Sequence, residues 1–241
     1  MNGKKYYEWS KHYDPHNLEI KCLLSHKVIF DGAKVLEVGC GTGRFTERIL
    51  PACKEVFSID PDKNALDVLR DNIHSHHLFV ELGTLETVQA KPNYFDYVVF
   101  PWSMYLIVNQ LKNLRIAFNA LKPGGRLIVL QANKGEYESE IAQLYRHYNT
   151  MGKYSKACSS LEGNIKEVFG NVICDTLCSY FYFDSVDQLI DLSLFFIEDE
   201  EGKLPSCKSI EALRKRLSMY ISADGQIKMS DIVSVFIAKK G

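Results

Sequence analysis

The chain is short of several things that would have assigned it quickly. It carries seven cysteines in 241 residues, yet no two form a Cys-x-x-Cys pair. The count is odd and the spacing scattered, which argues against a disulfide framework and leads us to expect reduced thiols in a cytoplasmic protein. No apolar run approaches the roughly 20 residues that span a bilayer. The longest, Tyr97 to Val108, is interrupted by Pro101 and Ser103. The opening MNGKKYYEWSKHYD has no apolar core, so no signal peptide is expected there. Charge of one sign is lacking too. The formal net charge is −1, so no global field recruits nucleic acid or an anionic membrane. Internal repeats and low-complexity segments are absent.

What is present is an alternation of strands and helices. Short apolar, β-branched runs at Val35–Val38, Glu55–Ile59, Leu78–Leu82, Phe95–Phe100 and Arg126–Gln131 read as strands. Helical patterns lie between them. One starts at Gly43 and closes at Pro51. A second, Asp62–Ile73, puts Ala65, Leu66, Leu69 and Ile73 on one face. A third, Leu106–Leu121, stops at Lys122-Pro123-Gly124-Gly125. Such an order predicts an α/β fold with a right-handed, doubly wound, mostly parallel sheet. Beyond Asn133 the alternation pauses. Residues 134–170 read as helical, Asn171–Phe183 as a long strand, Val186–Phe196 and Ser209–Tyr220 as helices, and Asp231–Lys239 as an antiparallel terminal strand. That makes seven strands, with helical cap segments. Residues 4–30 read as helical material broken near Asp14-Pro15 and dense in Tyr6, Tyr7, Trp9 and Tyr13.

The most informative stretch is VLEVGCGTGRFTERIL. Gly39, Gly41 and Gly43 follow the first strand directly, where an open α/β sheet binds its ligands. Stripping side chains from alternate positions there suits a small molecule that touches the backbone. The spacing is G-x-G-x-G, not the G-x-G-x-x-G of nicotinamide cofactors, and no G-K-[ST] follows as in a P-loop. Glu37, two positions before the glycines, repels a pyrophosphate and attracts an ammonium group. Asp60 ends the second strand, 21 residues after Gly39, a spacing that suits ribose hydroxyls. An ammonium at one end and a ribose at the other describe S-adenosylmethionine better than NAD or ATP.

VLEVGCGTGRFT, VFSIDPD, FDYVVFPWSMYL and LKPGGRLIVL together resemble the successive motifs of the class I S-adenosylmethionine-dependent methyltransferases, closely over Val35–Leu130. The resemblance implies one such domain over residues 1–241. Residues 1–30 would be a helical lid, 31–133 the cofactor-binding core, 134–170 a helical insertion or cap, and 171–241 the completion of the sheet. It implies S-adenosyl-L-methionine as cofactor and S-adenosyl-L-homocysteine as product. Glu37 would bind the methionine ammonium, directly or through water, and Gly39, Cys40, Gly41 and Gly43 would form the loop around the methionine and ribose. Asp60 would take the ribose hydroxyls, with Pro61 against the adenine. Gly83, Thr84 and Leu85 would lie near the adenine edge. The family often has an aspartate there, whereas this chain has Thr84, with Glu86 two residues later. Phe100, Pro101 and Trp102 would follow the fourth strand where cofactor and substrate meet, and Tyr13 would cover the methionine end.

Methyl transfer from a sulfonium is an in-line displacement, so the protein chiefly positions a nucleophile and excludes water. No dedicated base stands out. His12, His16 and His147 border the expected site, as do Tyr105, Tyr137 and Tyr145. The reading expects a small-molecule methyl acceptor, no membrane, no nucleic acid and no metal, and leaves monomer or homodimer open. No N-P-P-[YF] or Pro-Cys follows the fourth strand. The alternatives are an RNA or protein methyltransferase, or a non-catalytic S-adenosylmethionine-binding module. Of the remaining features, His74, His76 and His77 fall in an expected helix-to-strand loop. Cys174 and Cys178 share one face of a predicted strand and are expected in the core. Lys208, Arg214, Lys215 and Arg216 read as a solvated helix face.

Overall fold

The computed structural model describes residues 3–132, 140, 160–197 and 207–241. Tyr137, Tyr145 and His147, and most of the expected 134–170 cap, lie outside the described residues. The elements in chain order are α1 (Gly3–Ser10), α2 (Leu18–Ser25), β1 (Lys34–Val38), α3 (Arg44–Ile49), β2 (Glu55–Asp60), α4 (Lys63–Asn72), β3 (Leu78–Leu82) and β4 (Phe95–Pro101). They continue with α5 (Gln110–Ala120), β5 (Leu121–Ala132), α6 (Leu161–Phe169), β6 (Ile173–Phe183), α7 (Val186–Ile197), α8 (Cys207–Leu217) and β7 (Ile227–Lys239).

The strands form one seven-stranded sheet in the order β3-β2-β1-β4-β5-β7-β6. β1 to β5 pair in parallel, and β7 runs antiparallel between β5 and β6. This is the doubly wound architecture that the alternation predicts. The order reverses beside β1, which places the crevice for a ligand beyond its carboxyl end.

Successive strand residues point to opposite faces, and both faces are covered, so the central strands are mostly apolar on both faces, with buried Glu37, Ser58 and Gln131 among the polar exceptions. Val35, Val99, Ile128, Leu130, Val233 and Val235 face one core with Leu23 of α2, Phe45 and Ile49 of α3, and Leu189 of α7. Leu36, Val38, Val98, Phe100, Leu127 and Val129 face the other, with Leu114 of α5 and Leu161 and Ile165 of α6.

Two boundaries differ from expectation for local reasons. α5 starts at Gln110 rather than Leu106 because Asn109 caps it, its side-chain oxygen accepting from the Lys112 N–H at 3.1 Å. β5 begins at Leu121, and its register against β4 jumps from Phe95↔Leu121 to Tyr97↔Arg126. The Lys122-Pro123-Gly124-Gly125 stretch is the intervening irregularity. A Cβ on Gly125 would lie 3.1 Å from the carbonyl oxygens of Phe95 and Asp96.

One core expectation is corrected. Cys174 and Cys178 are exposed. β6 is an edge strand whose inward set is Ser179, Phe181 and Phe183, and the alternate set carrying the two cysteines faces out. Shared spacing identified a common face but not which face was covered.

Leu127, fully buried in β5, and Leu82, half-exposed on edge strand β3, give the contrast that tests this layering. Leu127→Ala is expected to lower unfolding free energy by about 2–5 kcal/mol. Leu82→Ala should stay within about 0.5 kcal/mol. Urea denaturation of both variants reads the difference, and equal losses would mean that β3 is covered.

Candidate active site

The loop after β1 is tied to β2. The N–H groups of Gly39 and Cys40 both donate to the Ile59 carbonyl, at 2.8 and 3.2 Å, and the Gly43 N–H donates to the Cys40 carbonyl at 3.0 Å. All three glycines have positive φ, at 77°, 56° and 94°. L-residues with side chains rarely adopt that region, so each glycine is required by the backbone alone. Their surroundings nonetheless separate them. A Cβ on Gly39 would stand 2.3 Å from the Ser103 Cβ, and one on Gly43 would stand 2.6 Å from Ile73 Cδ1. Those two glycines admit protein. Of the three, only Gly41 opens outward, with nothing among the described residues nearer to a Cβ than Tyr6 Cε1 at 3.9 Å. At Gly39 and Gly43 the protein's own packing already excludes a side chain, whereas at Gly41 it does not.

Asp60 closes one side of the loop. Its Oδ2 accepts from the Gly41 N–H and its Oδ1 from the Asp62 N–H, both at 2.8 Å. Burial raises its carboxyl above the ordinary value, with the two N–H bonds pulling the other way. Each oxygen keeps a further lone pair.

Glu37 lies beneath the loop with no exposure. Its Oε2 accepts from Thr46 Oγ at 2.6 Å and Ser58 Oγ at 2.7 Å, while its Oε1 is buried without a partner. Desolvation raises its carboxyl despite those two bonds.

A second buried carboxylate, Glu19 of α2, was not anticipated. It accepts from Arg44 Nη1 at 2.7 Å, Trp102 Nε1 at 2.7 Å and Tyr13 Oη at 3.1 Å, with Arg48 Nη1 at 3.5 Å. Burial pushes its carboxyl up, but the Arg44 charge and hydrogen bond, the indole and Arg48 outweigh it and hold the group below its ordinary value. Arg48 also binds Asp14 Oδ2 at 2.9 Å and the carbonyls of Tyr13 and Asp14. The Arg44 guanidinium lies 4.6 Å from the Tyr13 ring centroid, and the Tyr13 ring meets Trp102 edge-on at 5.6 Å and Phe181 at 4.7 Å. Trp102 holds φ at 61°, a strained value for a bulky residue. One side-chain cluster thus joins the N-terminal segment, α3, the loop after β4, and β6.

These elements also match known proteins. A family model described as a methyltransferase domain matches residues 36–129. The ubiquinone/menaquinone biosynthesis C-methyltransferase UbiE of Haemophilus ducreyi is 33% identical over 128 residues, covering 49% of this chain and 48% of that protein. The chain thus spans about half the length of the curated relatives it matches. Two solved structures share the fold. Phosphoethanolamine N-methyltransferase 2 of Haemonchus contortus, in complex with phosphomonomethylethanolamine and S-adenosylhomocysteine, aligns at TM-score 0.60 and 19% identity over 93% of this chain and 52% of that one. The [4+2]-cyclase SpnF aligns at TM-score 0.58 and 17% identity over 92% and 80%.

Within and around residues 36–129, Tyr13, Glu37, Gly41, Asp60 and Trp102 gather at the carboxyl ends of β1, β2 and β4. Other expected residues turn away. Phe100 is fully buried among Leu36, Met104 and Leu114. The Cys40 side chain packs with Leu66 and Leu69 under α4, and burial pushes its thiol well up, which suits a filler rather than a nucleophile. Pro101 is buried, Pro61 and Thr84 are exposed, and Leu85 belongs to the core. The Thr84 N–H donates to Thr87 Oγ at 2.9 Å, and the Gly83 N–H donates to the Asp60 carbonyl at 3.0 Å. Glu86 is engaged by Lys112 and Asn113 of α5. Of the histidines, His12 holds the Tyr182 carbonyl through Nδ1 at 2.7 Å and stacks on Phe183, and His16 meets Tyr182 edge-on. Sequence reading missed Glu19, Arg44 and Arg48. The Arg at the foot of the glycine loop was the available signal, but its partner lies 25 residues away on another helix.

Glu19→Ala takes the shared carboxylate from two mostly buried guanidiniums, of which Arg48 keeps Asp14, and we expect it to destabilise the chain by about 3 kcal/mol in chemical denaturation, the lower end for a broken buried pair. Glu37 behaves oppositely. Its proton is held more tightly in the folded state, so its contribution to stability is full below the ordinary value of 4.5 and lost as pH rises through the elevated folded value. Glu37→Gln keeps an acceptor for Thr46 and Ser58, and should raise the melting temperature relative to the parent above that window while leaving it unchanged below. A parallel shift at every pH would contradict the assignment.

Proposed function

We propose that the chain is an S-adenosylmethionine-dependent methyltransferase acting on a small-molecule acceptor. The observation that carries the reading is the grouping at the end of β1. Gly41 leaves an approach open to the backbone, Asp60 stands beside it with lone pairs to spare, and the buried Oε1 of Glu37 lies beneath it unpartnered. A ribose diol suits Asp60. An ammonium, directly or through a bridging water, suits Glu37 and would offset the cost of its buried charge. The match of residues 36–129 to a methyltransferase domain, and a fold neighbour that holds S-adenosylhomocysteine, support the same choice of cofactor.

When bound, the cofactor supplies a methyl group already activated by the sulfonium. The chain's part is to bind, orient and keep water out. Asp60 and Gly41 fix the ribose end, and Glu37 the methionine end. Tyr13 and Trp102 close over the site from two directions, held by Glu19 and Arg44, so residues 1–30 act as a lid over a core of 31–133. Aromatic rings excluding water suit a methyl transfer to a small acceptor. The similarity to a C-methyltransferase of quinone biosynthesis and the fold shared with a phosphoethanolamine N-methyltransferase fit a small molecule as that acceptor. With residues 133–139, 141–159 and 198–206 outside the described set, the acceptor is left as a class.

The test is transfer of labelled methyl from S-adenosylmethionine into a cell extract separated into small molecules, RNA and protein. Label in the small-molecule fraction is the expected outcome. Label confined to RNA or protein would move the acceptor class, and cofactor binding without label would leave a binding module. In calorimetry, Asp60→Ala should weaken S-adenosylmethionine binding by about 1.5–3 kcal/mol, the range for hydrogen bonds to a charged group.

A further inference from the structure

Far from the glycine loop, three side chains from the end of α2 and from β6 converge without any role in the reading above. Cys22 lies in the last turn of α2, and His26 follows the helix end, its N–H still donating to the Cys22 and Leu23 carbonyls at 3.3 and 3.1 Å. The i, i+4 spacing therefore sets thiol and imidazole on one face. Asp175 reaches them from β6. His26 Nε2 lies 2.7 Å, and Cys22 Sγ 3.8 Å, from the same oxygen, Asp175 Oδ2. The other carboxylate oxygen, Oδ1, is taken by the Thr176 N–H at 2.7 Å. One sulfur, one nitrogen and one oxygen lie within 4.8 Å of one another.

We propose that Cys22, His26 and Asp175 bind a divalent transition-metal ion of the zinc type. The donor set suits such an ion, because thiolate and imidazole select it over calcium or magnesium. Its charge fits as well. A thiolate and a carboxylate together balance a divalent cation, with the imidazole neutral. The spacing is close to what coordination needs. A tetrahedron with ordinary zinc bond lengths has edges of about 3.6 Å between sulfur and oxygen and about 3.3 Å between nitrogen and oxygen. The first is nearly met at 3.8 Å, and the second requires the 2.7 Å contact to open. The side chains that must part, His26 and Asp175, are 23% and 43% exposed, so the movement can go toward solvent rather than into the core. That exposure also leaves a fourth position to water.

The position assigns a structural task. β6 runs in the same direction as β1 and β5, since both β5 and β6 are antiparallel to β7. Asp175 is near the start of β6, so the trio lies at the end of the sheet opposite the glycine loop. A metal there touches no reacting atom. It pins α2 to β6, and α2 is the helix that carries Glu19. Metal occupancy would thus stiffen the segment that closes the active site.

Cobalt(II) is the probe. The chelator-stripped full-length chain is titrated with Co2+ and followed for the near-ultraviolet thiolate-to-cobalt charge-transfer band and the visible bands of tetrahedral cobalt. One equivalent with both signatures is expected, with Zn2+ displacing it and raising the melting temperature. Cys22→Ser should abolish the thiolate band, and Asp175→Asn should weaken binding by about tenfold or more. The double substitution of the exposed Cys174→Ser and Cys178→Ser should leave the band intact. Absence of stoichiometric cobalt binding overturns the proposal. So does a thiolate band that survives Cys22→Ser, or one lost with Cys174 and Cys178. A correctly folded Cys22→Ser variant, verified by circular dichroism, keeps a lost band from being read as a lost fold.

Discussion

The ionic contact between Glu19 and Arg44 is the constraint on which the arrangement around the site depends. Two buried charges at 2.7 Å tolerate no alternative partner of lower cost, because separating them strands each in a poor dielectric. Arg44 belongs to the first turn of α3, so its direction is set by the glycine loop. Glu19 belongs to α2, so its direction is set by the N-terminal segment. Their pairing turns two locally determined elements into one tertiary decision. Tyr13, Arg48 and Trp102 then complete the carboxylate's coordination, and the strained backbone of Trp102 is held where its indole N–H reaches Glu19.

Glu19 and Glu37 are buried to the same degree and shifted in opposite directions. The difference is in what surrounds them. Glu19 meets two guanidiniums, while Glu37 meets two hydroxyls and has one oxygen left over. A hydroxyl compensates for less lost hydration than a cation does. One carboxylate is therefore bound into the ion-pair network, and the other keeps one oxygen without a partner among the described residues. That division separates scaffold from site more sharply than location does, since both residues stand near the same crevice.

Much of the architecture was legible in the sequence because strand periodicity and glycine punctuation are local. β1 to β5, the helices between them and the antiparallel β7 follow from runs of a few residues each. Gly41, Asp60 and Glu37, on which the proposed cofactor site rests, were legible for the same reason, since all three flank the ends of adjacent strands. What local patterns do not encode is partnership across the fold. Nothing near Gly39 announces Ser103, and nothing near Arg44 announces Glu19. The same limit explains Cys174 and Cys178. Alternation says which residues share a face, but only the third dimension says which face is covered. Asp175, on the opposite face of that strand, is reached by Cys22 and His26 for a reason equally invisible in one dimension.

The chain has only two tryptophans, and both lie in this one seam. Trp9 of α1 packs on Phe181 at 4.5 Å, Phe181 packs on Tyr13, and Tyr13 meets Trp102. The intrinsic fluorescence of the whole molecule is consequently a local signal. The indole of Trp102 carries a charged hydrogen-bond acceptor, and that of Trp9 an aromatic neighbour. Any displacement of the N-terminal segment changes both environments at once. The protein thus carries its own unlabelled tryptophan reporter, positioned where the N-terminal segment meets the rest of the fold.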